Sequence, residues 1–549
     1  EAKYDENEFI SLTHPQLKWE DPLTEQSLVE LYKKVQRLKK EGRNGLWARI
    51  IKNAFAPVFR ATSPFDYVVG NPPWVRWGYL SDEYREATKK LWVDYGLFSL
   101  KGMAARLGGG EKDFSMLFLY ACTDYYLRQG GRLGFVITQE VFKAKGAGEG
   151  FRRFRLREEG AYLKVLKAGD LVTVKPFENA ANKTATIILQ KGAETSYPVP
   201  YTVWHRNKGV GSIDTVTSLS DVLALTTREE LKAQPIADKT SAWQTAGKGE
   251  EDALLKMRGE PAYTAYRGAS TEPYGVFWLK LKNVRHDGML VMENLPELGK
   301  RDIEKLADFN LESDLVFPAV RGRDITRWKA SLSIYVLIVQ DPNTREGYLE
   351  SRMKTQWPET YKYLQQFEAP LRNRAAFIKY YEPSDAFYSQ FNISDYTFKP
   401  HKVVWKRMAS DLVAAVVSTF ATPFGDKVGI GTDTTSLIPF EDEAEAHYVC
   451  ALINSSLVGA FIRSFSSAGR GFGAPSIINH IALPSYTPSN PLHETLSTLS
   501  MQAHQLASQG KTREAELRQV EKEIDGQAAK IWGLTDSELA QISSFREIG

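Results

Sequence analysis

The stretch FDYVVGNPPWVRWGYL, residues 65–80, decides how the whole chain is read. A short apolar run of buried-strand type, residues 65–70, passes directly into Asn71, Pro72, Pro73 and Trp74. Two consecutive prolines remove two backbone donors and fix two φ angles, so the strand stops there. The strand therefore gives way to a stiff loop holding one carboxamide and one large aromatic in a fixed relation. As a plain turn it is costly. As a clamp for something flat and polar it is well made.

Outward from this loop, the text DFSMLFLYACTDYYLRQGG reads as a long apolar helix ended by Gly130 and Gly131, and RLGFVIT as the strand after it. Strand, helix, glycines and strand in that order make a parallel α/β unit. FRRFRLREEG predicts a further helix, and YLKVLK and TATIILQK two closing strands, which puts the edge of the unit near residue 193. Residues 1–64 read as a helical lead-in, with Thr24 as the N-cap of TEQSLVELYKKVQRLKKEG and a second, more buried helix in LWARIIKNAFAPVF. Residues 194–260 lose clear periodicity and read as a connecting segment, with one strand in YPVPYTVW. Short strands and helices alternate over 261–490, which predicts a second, mixed α+β domain. Residues 491–549 form a charged helical tail.

Ligands of parallel α/β sheets lie beyond the carboxyl ends of the strands, which is where Asn71 to Trp74 fall. An exocyclic amine on a heterocycle becomes nucleophilic when both its protons are held by acceptors and its lone pair localises. The Asn71 side-chain carbonyl can take one proton and the Pro72 backbone carbonyl the other. Trp74 would stack on the ring. A base in a duplex reaches such a loop only by flipping out, at a cost of a few kcal/mol, and stacking of about 1–3 kcal/mol per base offsets part of it.

FDYVVGNPPW resembles motif IV of the gamma-class amino-methyltransferases that methylate adenine N6 in DNA. The helix and strand after it, and VKPFENAANKTATIILQK, resemble the segments that come next in that family. The resemblance implies a Rossmann-like methyltransferase sheet at 65–193, present as its C-terminal portion. It also implies S-adenosylmethionine as cofactor, the catalytic set Asn71, Pro72, Pro73 and Trp74, and Phe177 on the other face of a flipped adenine. FPAVRGRDITRW, YKYLQQFEAPLRNR, KPHKVVWKRM and CALINSSLVGAFIRS are similar to the target-recognition domain of type IIG restriction–modification enzymes, as is EIDGQAAKIWGLTDSEL in the tail. Together these cover most of residues 65–549 and make double-stranded DNA the expected partner.

Within the second domain, Arg321, Arg323, Arg327 and Lys329 cluster around Trp328. Arg372, Arg374 and Lys379 surround Phe377, while Lys399, Lys402, Lys406 and Arg407 flank Trp405. Such residues position phosphates, and Arg can read guanine in a bidentate pair. The whole chain is not basic: 70 Lys and Arg against 67 acidic residues leave a net charge of +3, so a DNA surface must come from local segregation.

Only 70 residues precede Asn71, and no strand among them ends in a short glycine loop. The later LGGGEKD comes after the motif, and Glu20 and Asp21 read as solvated loop acids, so no cofactor-binding residue is assigned. The chain starts at Glu1, and the expectation is that an upstream segment, or else a separate subunit, carries the cofactor motif and any nuclease. No nuclease, helicase or metal constellation stands out. The alternative reading is a non-catalytic DNA-recognition module. Cys122 and Cys450 lie in apolar contexts and read as buried reduced thiols, consistent with a prokaryotic cytoplasm. No run of about 18 apolar residues predicts a membrane span.

Overall fold

Strand β1 (Phe65–Gly70) forms where the sequence expects it and runs parallel to β2 (Leu127–Thr138), with Gly70 opposite Phe135. The computed structural model describes residues 4–17, 22–42, 53, 56–57, 60–98, 113–143, 147–177, 182–213, 215–216, 218–466, 469–470 and 472–544. The helix expected over 46–59 lies mostly outside these residues, as do Glu20, Asp21 and most of LGGGEKD.

The first unit is a seven-stranded sheet in the order β1-β2-β4-β3-β5-β6-β7. Its other strands are β3 (Leu163–Asp170), β4 (Thr184–Lys191), β5 (Val199–Arg206), β6 (Thr226–Pro235) and β7 (Trp243–Ala246). β4 is antiparallel to both β2 and β3, so β1, β2 and β3 point the same way and their carboxyl ends share one edge. Leu133, Phe135 and Ile137 of β2 and Ile187 and Leu189 of β4 are buried in a core with Trp92 and Trp243. Trp243 stacks on Phe142 at 4.7 Å, which fixes the far end of the sheet to the same core.

Several sequence expectations shift. Residues 194–246 do not merely connect, because β5, β6 and β7 extend the same sheet. β6 is TTREELKAQP, a strand with four charged residues and no apolar alternation, which is why periodicity missed it. The apolar helix ends at Tyr126, not at the glycines. Gly130, at φ 78°, and Gly131 lie inside β2, where the register against β1 slips between Phe65 and Tyr67. FRRFRLREEG is not a helix: Phe154 and Arg157 take positive φ and break the turn. Near the start, α1 (Glu6–Leu17) and α2 (Pro22–Lys40) pair through a Phe9–Tyr32 stack, and Thr24 lies inside α2 rather than capping it.

β1 itself is an edge strand. Tyr67 is 71 % exposed and Val69 83 %, against the buried-strand reading. With β2 on one side alone among the described residues, one edge of β1 is unpaired; Val68 packs on the core from one face, while Tyr67 and Val69 on the other face are open.

The second unit holds a six-stranded sheet, built on Trp278–Val284, Val316–Val320 and Ile334–Leu337, and a four-stranded sheet around His401–Lys406 and Thr435–Phe440. Helices Glu443–Asn454 and Ser456–Phe465 break at Ser455, which caps the second by accepting from the Val458 amide. The tail helices Pro491–Ser508 and Glu514–Ile531 share one core with them. Among the described residues no single helix is long and apolar enough to cross a membrane. The two units are tied at Ser464. Its carbonyl accepts from Lys143 Nζ at 2.7 Å and Thr245 Oγ1 at 2.9 Å, and its hydroxyl accepts from Gln244 Nε2 at 3.0 Å. Burial lowers the Lys143 amine to about 8.

Candidate active site

The loop after β1 is held from three sides. Gly70 packs closely enough on β2 that a Cβ there would meet the Phe135 ring at 3.2 Å. Trp74 Nε1 donates to the Val136 carbonyl of β2 at 3.3 Å, and its own carbonyl accepts from Asn182 Nδ2 at 3.3 Å. The Val75 carbonyl accepts from the Phe114 amide at 2.8 Å, where helix Phe114–Tyr126 begins. Asp113 caps that helix, accepting from the Ser115 amide at 2.8 Å, and burial raises its carboxyl above the ordinary range.

These anchors leave the chemistry-bearing groups presented. Pro72 is buried, while Asn71 and Pro73 are exposed. The Asn71 carboxamide hydrogen-bonds to no described residue, so its carbonyl is available to an incoming donor.

The loop after β3 brings Phe177 to the same place. Its ring meets Trp74 edge to face, with centroids 5.5 Å apart and planes at 75°. A flat base stacked between two rings needs roughly 7 Å, twice the ordinary carbon–carbon contact distance. The two aromatics are therefore adjacent but closed on each other, and one must turn to admit a base. Phe177 is 41 % exposed and has the freedom to do so.

Beneath these rings the strand ends carry a polar layer that the sequence reading missed. Asp170, at the end of β3, accepts from Gln139 Nε2 at 2.6 Å, the Tyr201 hydroxyl at 3.1 Å and the Val172 amide at 2.9 Å. Thr138 Oγ1 and Gln139 Oε1, at the end of β2, are buried without a partner among the described residues. Lys183 has its amine lowered by burial, partly offset by Glu140 and Asp170. The signal that could have found this layer is position: Gln139 directly follows β2 and Lys183 directly precedes β4, at the same edge.

The described residues do not accommodate the cofactor. Among them no strand before β1 leads into a glycine loop, and the free side of β1 faces solvent through Tyr67 and Val69.

The basic residues of the second unit separate into two groups. Arg321 is 9 % exposed and paired bidentately with Asp324 at 2.9 and 3.1 Å. Arg374, 3 % exposed, donates to the carbonyls of Leu371, Glu272, Phe387 and Ser389. Arg372 is taken up by Glu368 and the Pro383 carbonyl, and Arg327 by Asp411 and the Asn454 carbonyl. Lys402 is fully buried and donates to the Lys399 carbonyl. These five are framework, and Trp328, Phe377 and Trp405 between them are core. Arg323 and Lys329 are exposed, and Lys406 and Arg407 half-buried. Arg407 donates to the Asp433 carbonyl at 2.9 Å and leaves its Nε unpartnered. Arg267, which no sequence signal marked, reaches the Asp433 carboxylate at 3.4 Å and also has an orphaned Nε.

Lys402 supplies a stability prediction. Burial lowers its amine to about 7, against about 10.4 in an unfolded chain. The folded state thus binds fewer protons between these values, and stability rises with pH across that window. Lys402→Met should gain on the order of 4–5 kcal/mol below pH 7, at about 1.4 kcal/mol per pH unit, a gain that shrinks to nothing near pH 10.5. Denaturant melts at pH 6.5 and pH 10 check this, and an equal gain at both would contradict it.

Residues 16–169 match the Eco57I restriction-modification methylase family. A type II methyltransferase, M.NspV of Nostoc sp., is 27% identical over 187 residues, which are 33% of this chain and 36% of that protein. The chain thus spans about a third of the length of that curated relative. Among solved structures, the type IIL restriction-modification enzyme MmeI in complex with DNA aligns over 90% of this chain and 58% of its own, at 12% identity and a TM-score of 0.49. The type ISP restriction-modification enzyme LlaGI aligns over 81% and 35%, at 10% identity and a TM-score of 0.38.

Proposed function

We propose that this chain is the catalytic-loop and specificity portion of a site-specific DNA adenine-N6 methyltransferase of a restriction–modification system. One observation carries the reading: Trp74 and Phe177, 103 residues apart in sequence, meet edge to face at the carboxyl edge of the sheet, on the loop whose Asn71 carboxamide bonds to no described residue. The match of residues 16–169 to a restriction-modification methylase family supports it.

In this reading a target adenine leaves the duplex and parts the two rings, which then hold it from both faces. Asn71 Oδ1 and the Pro72 carbonyl accept its two amine protons, so the lone pair localises on the nitrogen instead of spreading into the ring. S-adenosylmethionine supplies an electrophilic methyl group when bound. Asn182 and Val136 keep Trp74 at its station throughout. Of the clustered cations, Arg323, Lys329, Lys379 and Lys406 have side chains that hydrogen-bond to no described residue and can meet phosphates and base edges.

The exposed edge of β1 favours a partner for the cofactor half. A further strand, from an upstream segment or a separate subunit, would pair along Phe65–Gly70, cover Tyr67 and Val69, and bring the cofactor site against Asn71. A charge on a strand edge blocks such pairing. Val69→Lys should therefore abolish transfer while leaving the fold and DNA binding intact, and full activity in that variant would contradict the docking.

The same open edge favours a second reading, a DNA-recognition module without methyl transfer. Transfer of labelled methyl from S-adenosylmethionine to unmodified duplex DNA, assayed on the chain together with the partner it recruits, separates the two. Incorporation supports the enzyme; S-adenosylmethionine binding and transfer both absent, with DNA binding retained, supports the module.

A further inference from the structure

The second unit holds a cavity of about 370 Å³, within the range of small-ligand pockets and separate from the loop after β1. Its walls include the rings of Tyr381, Phe391 and Tyr396, and its rim carries Arg345, Asn392 and Asp395. The aromatic walls are rigid. Tyr396 stacks on Tyr266 at 4.2 Å and 11° and donates to the Asn392 carbonyl at 2.7 Å, and Tyr381 donates to the Gln390 carbonyl at 2.8 Å. Gln340 and Gln390 at the floor are buried, with their carboxamides spent on backbone groups.

The rim is different. Arg345 is exposed, and its guanidinium has no ion pair or hydrogen bond with a described residue. It and Asn392 both lie in the left-handed region, at φ 62° and 52°, where side chains of L-residues are disfavoured. Strained residues of this kind cluster at ligand clamps. Among the described residues the Asp395 carboxylate accepts only from the adjacent Ser394 hydroxyl, at 3.3 Å, and Asn392 uses its amide on Ser270 Oγ at 2.8 Å.

Flat aromatic walls, one free guanidinium and one free carboxylate make a particular complement. The rings take a planar heterocycle, the carboxylate accepts from an exocyclic amine, and the guanidinium takes an oxyanion. Arg374, Asp385 and Glu346 also lie near Tyr381, so with Arg345 and Asp395 two cations face three carboxylates, which suits a single phosphate at most, not a polyphosphate.

We propose that this cavity binds a nucleotide with an amine-bearing base, the base against Tyr381, Phe391 and Tyr396, its amine on Asp395 and its phosphate on Arg345. The occupant is either a nucleotide extruded from DNA or a free nucleoside monophosphate. The site stands apart from the methyl-transfer reading and does not depend on it.

The test is titration of the full chain with deoxyadenosine, deoxycytidine and thymidine monophosphates by calorimetry, without methyl donor. The expected result is saturable binding of the two amine-bearing nucleotides, weakened at least tenfold in Arg345→Gln and unchanged in Asn71→Ala. Asp395→Ala should remove the preference over thymidine monophosphate while keeping the fold, since that side chain supports no core contact. Displacement by duplex DNA identifies an extruded nucleotide as the occupant; persistence in its presence identifies a free one. Absence of binding at millimolar nucleotide overturns the proposal, as does binding equal in Arg345→Gln or binding lost in Asn71→Ala.

Discussion

Asn71→Ala is expected to lower single-turnover methyl transfer by roughly 10²–10³-fold, the cost of removing one preorganised polar group that meets charge developing in a transition state. The variant keeps the Pro72 carbonyl and both aromatics, so the base still enters but one amine proton loses its acceptor. The lone pair then stays partly delocalised into the ring. DNA affinity should hold within about twofold, because phosphate contacts dominate it and Asn71 makes none. Stability should not change either, since the side chain is exposed and bonds to no described residue. Rapid-quench transfer and filter binding on the same preparation separate these effects. A variant that transfers at the wild-type rate removes Asn71 from the chemistry, and one that fails to bind DNA moves it to recognition.

The second large effect is the response of DNA binding to salt. Each neutralised phosphate contributes about −0.9 to the slope of log affinity against log salt. The clusters hold eleven basic residues, but Arg321, Arg327, Arg372, Arg374 and Lys402 are consumed within the protein, Arg407 donates to the Asp433 carbonyl and Lys399 pairs with Glu441. Arg323, Lys329, Lys379 and Lys406 remain, which predicts a slope near −3.6 and a loss of about a hundredfold between 50 and 200 mM salt. Replacing all four by Gln should bring the slope toward zero. A flat wild-type dependence would count against DNA as the partner, and a slope more than twice as steep would show that other cations meet the phosphates.

The loop after β1 is legible in the sequence because its signal is local: two prolines, an Asn and a Trp after an apolar run need no long-range information. Phe177 is reached only through the resemblance, as nothing in KPFEN itself distinguishes it from a core residue. Edge placement is not legible. FDYVVG has the composition of a buried strand, and only the pairing partners it has in space leave Tyr67 and Val69 in solvent. The basic clusters mislead for a related reason. HKVVWK is buried over both faces in its middle, so Lys402 has no outward side to take, and Arg321 finds its acid three residues on at Asp324. Conversely β6, with its run of charges, looks like a linker yet pairs along its length with β5. Side-chain type reports what a residue can do; which sheet position it takes is set by strands far away in sequence.

If the loop Asn71–Trp74 with Phe177 methylates adenine in DNA, the product must be found in DNA. The measurement is a map of N6-methyladenine across the genome of cells expressing the protein with whatever partner it recruits, beside cells expressing Asn71→Ala. The expected map shows one short sequence motif modified at nearly every occurrence, and no modification with Asn71→Ala. Absence of N6-methyladenine from the wild-type cells, or a modified motif that survives Asn71→Ala, would contradict the proposed chemistry.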